Sequence, residues 1–347
     1  MAWTPVGGQE QGGCPLKIET SIFDSMRLFY YLIFGACIAT SIGATTIQQD
    51  FAHDPAMDGW RVFGDPSLFQ WNVTNEYLEV TWDSSRANSY FYHPLGTVLA
   101  KEDDFKLEFD LVLRQVTVGL TPGKPYAFEL AIGFMNHQDA FRGDFRRGTG
   151  TGSPNLAEFD YFPDSGYGAT VWPAVVSTNG MFNYSGSTDY TIVELPLDEK
   201  LHVQMIYLAS EQTVTTVITR QGQSIGPINP VHLSTAFTDY RVDSLAVSSY
   251  TDDRATGSVF AKGEVDNFIV TVPDPPVSNL ALSVTNSCRQ VQFAGKSGWL
   301  YILEGSTNLA TWTPLVEHAS STNHLLTLVD TNAPYNPGYY RIRAERP

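Results

Sequence analysis

In Lys106-Leu107-Glu108-Phe109-Asp110-Leu111-Val112-Leu113 an apolar side chain recurs at every second position. A pleated strand sends alternate side chains to opposite faces, so the octet reads as a half-buried strand with Leu107, Phe109, Leu111 and Leu113 inward. Outward from it, Tyr77–Trp82, Ser89–Tyr92, Ala127–Phe134, Ala157–Phe162, Leu201–Ala209, Thr213–Arg220, Ser244–Ser249 and Val265–Val272 read the same way. Many short strands broken by turn clusters, with no sustained 3.6-residue stripe beyond residue 44, predict an all-β sandwich or barrel.

Composition agrees. Of 347 residues, 43% are hydrophobic, 17% charged and 13% aromatic, which suits buried, pleated surfaces and not disorder. The formal charge is −16; the flanks 1–44 and 276–347 carry −1 and +1, so residues 45–275 hold the whole excess. An acidic domain repels phosphate backbones and anionic membranes, which excludes nucleic acid as an expected partner.

Met26-Arg27, the apolar run Leu28–Ile38 and the small residues to Ala44 form the three parts of a secretory signal. The run is shorter than the roughly 20 residues a membrane span needs, so the mature chain is expected to lack a span. Residues 1–25 read as a non-native or unstructured extension, 26–44 as the signal peptide, and 45–272 as the large sandwich. Val272-Pro273-Asp274-Pro275-Pro276 marks a Pro-rich linker, 273–279, before a small β-module, 280–347. With the signal removed, only Cys288 of the three cysteines is left, and no internal disulfide is expected.

Two segments resemble known families. Asp50-Phe51 with Gly59-Trp60, the strands between, and the closing Gly263-Glu264-Val265-Asp266-Asn267-Phe268-Ile269-Val270 resemble the concanavalin-A-like lectin/glucanase superfamily, within it the bacterial secreted jelly rolls of unknown function. Glu304–Trp312, Asp330-Thr331 and Tyr339-Tyr340-Arg341-Ile342 are similar to a C-terminal β-module common in secreted bacterial proteins. The resemblances imply a concanavalin-A-like β-sandwich (jelly roll) plus a small immunoglobulin- or fibronectin-like sandwich. They also imply a secreted, extracellular or cell-surface location.

The resemblance directs attention to Glu158-Phe159-Asp160-Tyr161-Phe162-Pro163. Retaining glucanases of this superfamily read Glu-x-Asp-x-x-Glu there, with the first Glu as nucleophile and the last as acid/base. Their chemistry needs two carboxyls about 5–5.5 Å apart. Glu158 and Asp160 match, but Pro163 stands at the acid/base position and carries no exchangeable proton. Asp164 follows and on simple alternation faces the other way. Glu158 and Asp160 are therefore expected to bind sugar without cleaving it, helped by Phe162, Tyr167, Trp172 and, on another strand, Tyr90 and Tyr92.

Ahead of this strand runs a Gly-rich loop, Phe141–Pro154, holding Arg142, Arg146 and Arg147. These arginines either meet uronate or sulfate on a polysaccharide, with Arg147 the named candidate, or pair with nearby carboxylates. A lyase would need a Tyr or His base and an arginine; His137, Tyr167 and Arg147 are the nearest parts. The jelly-roll resemblance implies a structural Ca²⁺ at Asp266 with Asp50 as partner. Three functional readings follow. The first is a non-catalytic, lectin-like protein binding extracellular or cell-wall polysaccharide. The others are a divergent glycoside hydrolase or polysaccharide lyase, and a structural or adhesive envelope protein.

Overall fold

The computed structural model describes residues 44–147, 153–164, 168–182, 191–284, 288–331 and 338–347. The extension 1–25, the signal peptide up to residue 43, Tyr167 and the glycines of 148–152 lie outside the described residues.

Strands come in chain order as β1 (Ala44–Gln49), β2 (Arg61–Phe63), β3 (Phe69–Asn72), β4 (Tyr77–Asp83), β5 (Ser89–Leu99) and β6 (Phe105–Val118). β7 (Leu130–Met135), β8 (Leu156–Phe162), β9 (Thr170–Val176), β10 (Thr191–Ile192) and β11 (Lys200–Leu208) follow. β12 (Thr213–Arg220), β13 (Gln223–Ile225), β14 (Val231–His232), β15 (Val242–Ser249) and β16 (Val259–Pro273) complete the large unit. One sheet runs β13-β12-β11-β6-β16-β4-β3, with β1 on β16 and β14 on β12. The other runs β10-β9-β8-β7-β15-β5-β2. Pairings within both are antiparallel.

The alternation in β6 holds: Phe105, Leu107, Phe109, Leu111 and Leu113 are buried, and the residues between them are less so. Phe109 of β6 meets Phe159 of β8 edge to face at 5.7 Å, joining the two sheets through the core. Phe51, Trp60, Phe91 and Phe268 continue that core. The all-β, two-sheet architecture expected from the sequence is present.

The linker is shorter than 273–279. Pro273 is the last residue of β16, opposite Ala44 of β1, and β17 already starts at Val277. Pairing of β16 with β6 has ended at Thr271, so the missing N–H of Pro273 costs no ladder bond. Beyond Asp274-Pro275-Pro276, β17 (Val277–Val284), β18 (Arg289–Gly295), β19 (Trp299–Ser306), β20 (Thr313–Ser320), β21 (His324–Asp330) and β22 (Tyr339–Glu345) form two three-stranded sheets, β17-β18-β21 and β20-β19-β22. They share a separate core of Val291, Phe293, Tyr301, Leu303 and Leu328. This small unit rests on the sandwich. Arg346 donates to the Val98 carbonyl (3.1 Å) and pairs with Asp103, and Tyr301 Oη donates to the Pro276 carbonyl at 2.9 Å.

Gly133 fixes how closely β7 and β8 approach. A Cβ there would lie 2.5 Å from both the Ala157 carbonyl oxygen and the Glu158 Cα, which are backbone atoms that cannot swing away. Gly133→Ala is expected to destabilise the fold by about 1–3 kcal/mol, read as a lower urea midpoint. An unchanged midpoint would show that the two strands can part at no cost.

Candidate functional site

β8 is buried on both faces. Phe159 and Tyr161 point into the core, while Glu158 and Asp160, 1% and 0% exposed, point to the outer face of the seven-stranded sheet. That face is closed above them by Arg147, itself 2% exposed. Arg147 Nε lies 3.1 Å from Glu158 Oε2, Nη2 lies 2.5 Å from Asp160 Oδ2, and Nε lies 4.0 Å from Oε1 of buried Glu129. Its guanidinium also stands over the rings of Tyr250 and Phe182, at 5.6 and 5.9 Å. The Tyr250 hydroxyl shares a hydrogen bond with Glu158 Oε1.

The electrostatics follow from this burial. Loss of water raises the Glu158 carboxyl to about 8; Arg147 pulls it down and the Asp160 charge pushes it up. Burial also raises Asp160, against the pull of Arg147. Burial alone would lower Arg147, but Asp160, Glu158 and Glu129 outweigh it and hold the guanidinium well above its usual value. Burial thus moves Glu158 towards its neutral form, and the Arg147 guanidinium opposes it. Tyr250 donates to the ionised carboxylate and accepts from the protonated acid.

This corrects the expectation that Glu158 and Asp160 line an open sugar-binding face. No ligand reaches them while Arg147 is in place, because the protein's own guanidinium fills the position a sugar would take. Of the two readings of the loop arginines, pairing with carboxylates is the one realised: Arg142 meets Asp144, Arg146 meets Asp253, and Arg147 meets Glu158 and Asp160. Asp164 does not complete a glucanase pair; it is exposed at a left-handed turn position (φ 52°) beyond the end of β8. Glu129 and Tyr250 were not singled out in the sequence, since neither lies near β8 in the chain.

The candidate aromatics divide. Phe162 and Trp172, half-buried, do converge, with ring centroids 6.4 Å apart, and Phe182 stacks on Trp172 at 5.8 Å. Tyr90 and Tyr92 share the outer face of β5, as alternation predicts. Tyr90, however, is fully buried beneath Phe63 and Phe141 and is no sugar platform. Tyr92 stays partly exposed, edge-on to Phe141 at 5.2 Å.

Asp266 sits opposite Asp110 in the β16–β6 ladder, and burial raises its carboxyl, with the charges of Asp110 and Asp50 adding to the effect. These groups are already engaged. Lys200 Nζ lies 2.7 Å from Asp110 Oδ2, Asn267 Nδ2 donates to Asp110 and Asp266, and Asp50 accepts from the Ala52 amide. Calcium needs six or more oxygens around it. Among the described residues no three acidic, histidine or cysteine side chains are grouped to hold an ion.

An open site lies beside the plugged strand. A cleft of about 470 Å³ runs between Asp139, the 142–146 loop, Ser153-Pro154, the turn Thr178–Gly180 after β9, and Arg254. Asp139 lies in the single helical turn His137–Ala140 and is held by Asn155 Nδ2 at 2.7 Å. Asn179 Oδ1 accepts from Ser177 and from the Met181 amide, and among the described residues its Nδ2 has no hydrogen-bond partner. Ten of the described arginines stand in ion pairs with carboxylates, and Arg61 and Arg254 are not among them. Arg254 thus brings an uncommitted guanidinium to the cleft. Nothing local in the sequence marks Asp139, Asn179 and Arg254 as one site, because three separate loops bring them together.

No family model matches this chain, and no curated protein matches it in sequence. Among solved structures it is similar to lectin UEA-II complexed with galactose (15% identity over 66% of this chain and 99% of that one, TM-score 0.44). It is also similar to lectin II from Ulex europaeus (13%, 66% and 99%, 0.42) and to basic winged bean lectin with Tn-antigen (15%, 67% and 100%, 0.41). All three fall below a TM-score of 0.5, and the sandwich stands on its own strand order. Among the described residues no helix is long and apolar enough to cross a membrane.

Proposed function

We propose that this chain is a secreted, lectin-like protein that binds an extracellular or cell-wall polysaccharide without cleaving it, in the cleft of Asp139, Asn179 and Arg254. One observation carries the reading: an acceptor and two uncommitted donors converge on an opening of sugar size, while the Glu158 strand is sealed. Sugar hydroxyls both donate and accept. The Asp139 carboxylate accepts hydrogen bonds from them, and Asn179 Nδ2 and Arg254 donate to their oxygens. The aromatic under this cleft, Phe145, is itself buried, so hydrogen bonds and not ring stacking supply the affinity. Secretion rests on the segment 26–44, and the absence of turnover rests on Pro163 and on the Arg147 plug.

A glycan array followed by calorimetry on the strongest hit tests this. Asp139→Ala and Arg254→Gln are each expected to weaken binding about tenfold or more, as loss of a charge-assisted hydrogen bond does. No reducing ends or unsaturated uronates are expected to appear. Unchanged binding in both variants, or turnover by the wild type, would refute the reading.

A further inference from the structure

A second cleft, of about 460 Å³, opens between the sandwich and the small C-terminal unit. Its walls are Tyr92, Pro94 and Val98 of β5, Pro275-Pro276 of the linker, and Trp299, Ile342 and Ala344 of the small unit. Its polar end holds Arg61, His137 and Asp243. Both units contribute walls, so the cleft exists only because they are docked.

Two features of the polar end point to a ligand. Arg61 is exposed, lies at the start of β2, and has no ion-pair or hydrogen-bond partner among the described residues. In a unit with this acidic excess almost every other arginine is neutralised, so an arginine left open at a cleft mouth is a place for an anion that the protein does not supply. His137, meanwhile, is held from behind. Its Nδ1 lies 2.6 Å from Asp243 Oδ2, its backbone amide donates to Asp243 Oδ1 at 3.0 Å, and Ser244 Oγ donates to the same oxygen at 2.9 Å. That grip turns Nε2 to the open side, where the side chain is 44% exposed. Beside them the partly exposed ring of Tyr92 offers an apolar face.

We propose that this inter-unit cleft is a binding site for a carboxylated saccharide, a hexuronate unit. The carboxylate pairs with Arg61, a ring hydroxyl hydrogen-bonds His137 Nε2, and the apolar sugar face lies against Tyr92. One charge, one polar contact and one ring match the three kinds of group a uronate presents. The site is separate from the Asp139–Arg254 cleft and stands or falls without it.

The test is NMR of the full-length protein titrated with a trimer of galacturonate and, separately, with the neutral galactose trimer. The Trp299 indole lines this cleft and not the other, and the His137 imidazole reports on its polar end. The acidic trimer is expected to shift both signals saturably, and the neutral one to do so at least about tenfold more weakly. Arg61→Gln, an exposed substitution with no packing to lose, is expected to weaken the acidic trimer about tenfold or more. Tyr92→Ala weakens both trimers. Equal affinity for the two trimers, an unchanged affinity in R61Q, or no shift up to about 10 mM would each overturn the proposal. Asp139→Ala separates the two sites. If it abolishes array binding while these signals still shift, both sites are real; if neither it nor Arg254→Gln alters array binding, the first site fails and this one does not.

Discussion

Arg147→Met is expected to cost the fold about 3–5 kcal/mol, a large share of the roughly 5–15 kcal/mol by which a domain is stable. The side chain is 2% exposed and is the cation facing Glu129, Glu158 and Asp160, all of them buried. Methionine fills much of the volume but removes the guanidinium that offsets the charge of any ionised carboxylate in this dry site. The carboxylates respond by taking up protons. The loss is therefore expected to be largest at alkaline pH, where protons are scarce. Adding Glu158→Gln and Asp160→Asn to Arg147→Met should return part of the stability, because the groups left unpaired are then neutral amides. Denaturant midpoints of the single and triple variants measure this. A single variant as stable as the wild type would mean that Arg147 does not sit on those carboxylates.

The second large effect is the response to pH. Glu158 releases its proton near 4.5 in the unfolded chain and near about 8 in the fold. Below 4.5 both states hold the proton and this group leaves stability unchanged. Between the two values the folded chain keeps a proton that the unfolded chain has lost, so stability falls as pH rises, by about 1.4 kcal/mol per unit at most. Above the folded value the loss is complete. Carboxylates held low by their partners act in the opposite sense. Glu108 and Glu304, lowered by hydrogen bonds from Lys106 and Arg341 against the effect of burial, lose their contribution only as the solution becomes strongly acidic. The protein is therefore expected to be most stable near about pH 5 and to weaken by a few kcal/mol towards pH 8. Glu158→Gln, which fixes the neutral form, should flatten that decline and be more stable than the wild type at the alkaline end. Parallel pH profiles for the two proteins would contradict the assignment.

How far these features were legible varies from strand to strand. β6 and β12 follow directly from alternation, because one face of each meets the core and the other does not. β9 is invisible to the same rule. Its Pro173 argues against a strand, yet β10 pairs with Thr170 and Val171, and on that side no described residue pairs with Pro173, so its missing N–H costs no described ladder bond. β8 misleads in a subtler way. Glu158 and Asp160 alternate with Phe159 and Tyr161 like a solvated face against a core face. The polar face is nevertheless dry, because a loop folds over it and delivers a guanidinium. Alternation reports which residues share a face, and it cannot report what lies above that face. The pairing of loop arginines with carboxylates was open in the sequence; that Arg147 spans Glu158 and Asp160 together required the fold.

The two clefts were less legible still. Asp139, Asn179 and Arg254 come from loops far apart in the chain, and Arg61 meets Trp299 only because the C-terminal unit docks on β5. What sequence offered was a bound on the chemistry: an acidic domain in which arginines are scarce. The fold then shows which arginines remain uncommitted.

The central claim is that the Glu158 strand is structural and that sugar is held beside it. Calorimetry with the best glycan from the array, on Glu158→Gln and Asp139→Ala side by side, tests this most directly. E158Q is expected to bind like the wild type, and D139A to lose about tenfold or more. Binding lost in E158Q and kept in D139A would return the ligand to the face that Arg147 covers, and would contradict the claim.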